Sequence, residues 1–127
     1  MARMNVLVVE KDVVVGSHIV ELIRGWGYNA ERADSGQATL RLAACTFFDL
    51  ALLDTSLPDM AARELITTLK DLNPDVGIVT MTECHHNGFE KDIRTLGIIY
   101  YMMKPVNGPV LKDILDHISR KRQGVAG

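Results

Sequence analysis

The sequence is poor in cysteine, in excess charge of either sign and in long apolar runs, and each shortage excludes a class of protein. Only Cys45 and Cys84 occur among 127 residues, without paired spacing. A disulfide-stapled secreted scaffold is therefore excluded, and reduced thiols in a cytoplasmic protein are expected. The formal net charge is −2, so no global basic field points to nucleic acid. Arg120-Lys121-Arg122 is the one basic cluster; it reads as a solvated helix end, and direct nucleic-acid binding is not expected. No apolar run approaches the ~18 residues that a membrane helix needs. Met4 to Val9 leads into a strand with no small-residue cleavage site after it, so no secretory signal is read. Repeats and low-complexity stretches are also missing. What is present, 47% apolar and 24% charged residues, suits one soluble globular domain with a real core.

Short apolar runs alternate with segments of helical period along the chain. Asn5 to Val9 predicts a buried first strand, followed by a helix from Val13 to Arg24 that Gly25-Trp26-Gly27 stops. Tyr28 to Ala33 predicts the second strand, and Asp34-Ser35-Gly36 turns into a helix that ends near Cys45. Leu50 to Asp54 is too short for a helix and reads as the third strand, with Pro58 stiffening the turn beyond it. A helix over Arg63 to Leu72 closes at Asn73-Pro74. Val76 to Met81 then predicts the fourth strand, Phe89 to Leu96 a short polar helix and Ile98 to Met103 the fifth strand. Pro109 opens the last helix. Five such alternations predict an α/β fold: a parallel sheet with helices on both faces and right-handed crossovers.

That arrangement gathers the strand ends at one rim, and the chain places Glu10, Lys11, Asp12, Asp54, Thr82 and Lys104 there. A carboxylate at such a rim can act as nucleophile toward a phosphoryl group. The transferred group then needs cations on its oxygens and a hydroxyl or amide to bind one of them. Magnesium commonly takes one or two carboxylates with substrate oxygens and waters. An acid after a strand is by itself more often a loop cap; the set of six changes that.

With these residues in view, the sequence resembles the receiver domain of bacterial two-component response regulators, over about residues 4–120. The spacings run without a gap from the first acid through Gly27-Tyr28, Ser35-Gly36 and Asp49 to Asp54 and Pro58. The resemblance implies a five-stranded (βα)5 flavodoxin-like three-layer sandwich, with a receiver over residues 1–122 and a flexible tail or linker start over 123–127. It implies Asp54 as phospho-acceptor, Thr82 as switch hydroxyl and Lys104 as the phosphate-binding lysine. Tyr101 stands where the family often carries an aromatic rotamer switch. The metal ligands implied are Glu10, Asp54 and the backbone carbonyl of Ser56, with Mg²⁺ as cofactor. The implied partners are a histidine kinase or phosphotransfer protein, a downstream effector protein or domain, and a second receiver in a homodimer. The implied partner face includes Phe89, Lys91, Arg94, Tyr101 and Lys112. No membrane partner is implied, and no enzymatic activity beyond phosphorylation and dephosphorylation of Asp54 itself.

The sequence departs from the family at Lys11, where a second acid usually supplies a metal ligand. An ammonium cannot ligate Mg²⁺ and repels it. Lys11 either pairs with Asp54 and stands in for the metal's charge, or swings into solvent and leaves Glu10 and Asp12 to bind Mg²⁺ weakly. The first is favoured, since attraction at ~4 Å is roughly 4 kcal/mol at an intermediate dielectric before desolvation. Ala62 replaces a usual glycine, and Glu83 puts bulk and charge where a small residue is usual. These departures support a rival reading: a phosphorylation-independent pseudo-receiver acting as an interaction module.

Other readings are weaker. A phosphatase with an Asp nucleophile commonly carries a second Asp two residues on, where this chain has Ser56. A flavin site lacks a phosphate-cradling loop after the first strand. Cys84-His85-His86 has no second Cys/His cluster to complete a zinc site and reads as a polar loop. His18 and His117 read as helix-surface residues. Tyr100 and Tyr101 alternate, so one is expected to face the core, which would account for Tyr100, and the other the last helix.

Overall fold

The computed structural model describes residues 3–83 and 87–126, with side chains described except at 87 and 123–126; Cys84-His85-His86 lies outside the described residues. Five strands and five helices alternate: β1 (Asn5–Val9), α1 (Val13–Gly25), β2 (Asn29–Ala33), α2 (Gly36–Cys45), β3 (Leu50–Asp54), α3 (Ala62–Leu72), β4 (Gly77–Thr82), α4 (Asn87–Arg94), β5 (Tyr100–Met103) and α5 (Gly108–Ala126). The sheet is parallel throughout, in the order β2-β1-β3-β4-β5. This is the expected flavodoxin-like α/β architecture.

The inner strands β1, β3 and β4 are buried along nearly their whole length because both faces of the sheet are covered, whereas the edge strand β2 carries Asn29, Glu31 and Arg32. Successive side chains point to opposite faces. Val6, Val8, Leu50, Leu52, Val79 and Met102 therefore join one core with Ile19, Ile23, Leu111 and Leu115 from α1 and α5. Leu7, Val9, Ala51, Leu53, Ile78 and Tyr101 join the other with Leu65, Ile66 and Ile93 from α3 and α4. Both cores are bounded by the same sheet, so a one-residue slip of any strand would exchange them.

Caps account for where the helices begin. The Asp12 carboxylate accepts hydrogen bonds from the amides of Val14 and Val15 at 2.9 and 3.0 Å and starts α1. Ser35 caps α2 through the Ala38 amide, and Asp59, from the loop after β3, accepts from the Gly36 and Gln37 amides at 2.9 Å each. The two backbone bonds hold the Asp59 carboxyl below its ordinary pKa. After α1 the chain reverses at Gly27, whose φ of 97° is a conformation that other residues rarely adopt.

Two expectations change at β5. The strand begins at Tyr100 rather than Ile98, and Ile99 is left exposed. Tyr100, expected to be explained by the core, is exposed, whereas Tyr101 is buried on the α3–α4 side rather than facing α5. Register decides this: Thr80 pairs with Tyr101 and Met81 with Met102, and it is Met102 that faces the α1–α5 core.

Candidate functional site

In the strand order, the chain leaves β1 for β2 on one side and returns across β1 to β3 on the other. The crevice beyond the carboxyl ends of β1 and β3 is therefore the topological switch point, where open α/β sheets bind their ligands. Three side chains meet there. Glu10, the first residue past β1, is fully buried, and Asp54, the last of β3, is 2% exposed. Lys104, directly after β5, donates to Glu10 Oε1 at 2.6 Å and to Asp54 Oδ2 at 2.9 Å.

The remaining carboxylate oxygens are also satisfied. Glu10 Oε2 accepts from the Asp12 amide at 3.1 Å, and Asp54 Oδ1 from the Ser56 amide at 2.9 Å. Burial alone would lower the Lys104 pKa. The hydrogen bonds and charges of Glu10 and Asp54 outweigh burial and raise it above the ordinary lysine value. The ammonium is therefore a fixed positive charge at neutral pH. Its backbone is tied to β4, since the Lys104 amide donates to the Thr82 carbonyl at 2.8 Å; the Lys104-Pro105 peptide is cis.

Thr82 ends β4, 4% exposed, and its hydroxyl accepts from the Thr55 hydroxyl at 3.0 Å. Thr55 in turn donates its amide to the Met81 carbonyl, so β4 and the residue after Asp54 are tied together. Tyr101 is buried, and the Arg94 guanidinium lies 5.8 Å from its ring centroid. Arg94 is itself paired with Glu90 at 2.7 Å, one turn back on α4. Lys91 and Lys112 are exposed, as are His18 and His117.

The favoured placement of Lys11 is corrected, and Asp12 has a second role. Lys11 makes no ion pair with Asp54; its ammonium donates to the Ser56 carbonyl at 3.3 Å. Lys104 already holds both buried carboxylates, and a second ammonium on Asp54 would face it at close range. Asp12 lines the same groove as Glu10 and Lys11, with its carboxylate Oδ1 engaged by the first turn of α1.

The same contacts decide how a magnesium ion fits. Its expected ligands were Glu10, Asp54 and the Ser56 carbonyl. Here both carboxylates hold Lys104 and the carbonyl holds Lys11. Among the described residues no three acid, histidine or cysteine side chains form a group that could hold a metal ion. The residues in this arrangement do not fit the ion.

Sequence reasoning missed one residue, Arg32. From β2 its Nε donates to the Glu10 carbonyl and its Nη2 to the Lys11 carbonyl, each at 3.1 Å. The partners are 22 and 21 residues away in the chain, and only the β1–β2 register brings them together.

Comparison with known proteins agrees with this fold. The sequence matches the response regulator receiver domain family over residues 6–116. It is 30% identical over 116 residues to the transcriptional regulatory protein ZraR of Escherichia coli strain K12, covering 90% of this chain and 26% of that protein. It is 29% identical over 125 residues to the cell cycle response regulator CtrA of Brucella ovis, covering 97% of this chain and 53% of that one. The chain thus spans about a quarter to a half of the length of these relatives. A CheY-like receiver domain from Methanospirillum hungatei JF-1 superposes with a TM-score of 0.86 at 27% identity, over 94% of this chain and 99% of that one. Receiver domains are generally non-enzymatic signalling domains; in response regulators they meet histidine kinases and effector domains, and they generally bind Mg²⁺ at their acidic pocket. The chain belongs to the response regulator receiver domain family of two-component signalling.

Proposed function

We propose that Asp54 accepts a phosphoryl group from the phosphohistidine of a histidine kinase or phosphotransfer protein and that this switches a partner-binding surface. An Asp54 carboxylate oxygen attacks phosphorus, the P–N bond to the donor imidazole breaks, and the imidazole leaves with the electron pair and takes up a proton. Lys104 and Thr82 then bind phosphoryl oxygens, and Tyr101 responds to the movement of Thr82. The observation that carries this reading is one ammonium shared by two buried carboxylates at the switch point. Such a group is costly to bury and does little for stability, which favours a chemical use.

A groove of about 690 Å³ opens beside the pocket, lined by Val14, Val15, His18, Pro105 and Val106 among others. It would let a helical donor bring its histidine to Asp54. The remaining partners are an effector protein or domain and a second receiver, met through α4, β5 and α5. Lys11 opposes Mg²⁺ binding, turnover is limited to Asp54 itself, the receiver unit is residues 1–122, and the setting is cytoplasmic. No helix among the described residues is long and apolar enough to cross a membrane.

Intact-mass measurement after incubation with a small phospho-donor, with and without Mg²⁺, tests the reading. One phosphate should be gained by the parent protein and none by Asp54→Asn. A second reading, a pseudo-receiver that binds partners without phosphate, is favoured by the Lys11 contact at Ser56. Absence of any adduct under both conditions, with partner binding retained, would select it.

A further inference from the structure

Two carboxylates and two ammoniums define this pocket. Lys104 lies between Glu10 and Asp54, while Lys11 reaches the Ser56 carbonyl at 3.3 Å across the turn after β3. The two ammoniums offset the two buried carboxylates, while Asp12 and Glu83 add negative charge along the adjoining groove. Five oxygens face the pocket, two from each carboxylate and the Ser56 carbonyl, and each already accepts a hydrogen bond. A divalent cation would have to displace a donor from these oxygens and remain beside two positive charges.

The backbone that carries the exposed Lys11 side chain is held from behind. The Arg32 guanidinium binds the carbonyls of Glu10 and Lys11 at 3.1 Å each, fixing the turn that carries both side chains. Its side chain lies against Gly16, where a Cβ would stand 2.7 Å from Arg32 Cδ and Nε. Gly16 thus leaves room for a third cation next to the pocket.

From these contacts we infer that Lys11 is a resident cation in the place of the divalent ion, with Arg32 as its positioning residue, and that the pocket is closed to Mg²⁺. The purpose assigned to the arrangement rests on the receiver reading of Asp54; the arrangement itself can be tested without phosphate.

The test is a titration of the unphosphorylated protein with Mn²⁺ as a paramagnetic probe, read from its amide NMR spectrum, which also reports whether each variant is folded. In the parent protein the amides of Glu10, Lys11, Asp54 and Ser56 should broaden no more than those beside exposed acids elsewhere. Lys11→Asp should broaden them selectively, with affinity at least about tenfold higher. Lys11→Ala, which frees the carbonyl without adding a ligand, should fall between. Arg32→Met keeps an apolar chain over Gly16 but loses both hydrogen bonds, and should move toward Lys11→Ala. Selective, saturable broadening in the parent as strong as in Lys11→Asp would overturn the inference. Arg32→Met indistinguishable from the parent would remove Arg32 from it. A phosphate adduct formed only with Mg²⁺ would also overturn it. No adduct in EDTA or Mg²⁺ would count instead against the phospho-acceptor reading, leaving the Mn²⁺ result to stand on its own.

Discussion

The two rims of the sheet use the same kinds of residue differently. At the amino rim, Asp49 accepts the Asn5 amide at 2.7 Å and lies 3.5 Å from the Arg122 guanidinium, which also donates to the carbonyls of Asp49 and Asp75. Those contacts are mostly to backbone: they tie the end of α5 to the starts of β3 and β4. At the carboxyl rim, Glu10, Asp54 and Lys104 spend their charges mainly on one another, at 1%, 2% and 13% side-chain exposure. A carboxylate that secures backbone is structural, whereas carboxylates buried against a shared ammonium are poised for a ligand that can rearrange them.

The largest effect expected from breaking this comparison is at Lys104. Lys104→Met leaves two buried carboxylates without their cation and should cost about 3–5 kcal/mol by denaturant unfolding. It should also abolish phosphate gain. Because the folded-state pKa of Lys104 is raised, its contribution should be complete below the unfolded value, about 10.4, and should be lost as pH rises through the folded value. The stability difference between parent and variant should therefore stay constant through neutral pH and shrink only in strong alkali.

Arg122→Met at the opposite rim should cost less, about 1–2 kcal/mol, and leave phosphate gain by mass unchanged. Equal losses at the two rims would erase the distinction drawn between them. Asp12→Ala should cost about 1 kcal/mol through the lost cap, again without changing phosphate gain. A lost adduct would add Asp12 to the phosphorylation chemistry. The smallest stability effect is expected for Asp54→Asn, within about 1 kcal/mol, because the amide oxygen can still accept from Ser56 and the Lys104 ammonium keeps Glu10 as its partner; its chemical effect should nonetheless be complete.

Much of the site was legible because each pocket residue ends or directly follows an apolar strand. Strand ends of a parallel sheet must share one rim, so Glu10, Asp54, Thr82 and Lys104 could be grouped from their positions alone. Side-chain direction was less accessible. Lys11 and Asp12 are neighbours of Glu10 in the chain, yet one crosses to Ser56 and the other caps α1. Tyr100 and Tyr101 could be assigned to opposite faces, but not to particular ones, before the register with β4 was known.

The amino-acid sequence by itself determined the alternation of elements, the parallel sheet and the residue types at its ligand-binding rim, since apolar period and strand ends are local properties of the chain. Only the tertiary structure decided which ammonium meets which oxygen: Lys104 on both carboxylates, Lys11 on a carbonyl, and Arg32 behind them. The reason is geometric, because contacts between residues as far as 94 positions apart depend on packing and register.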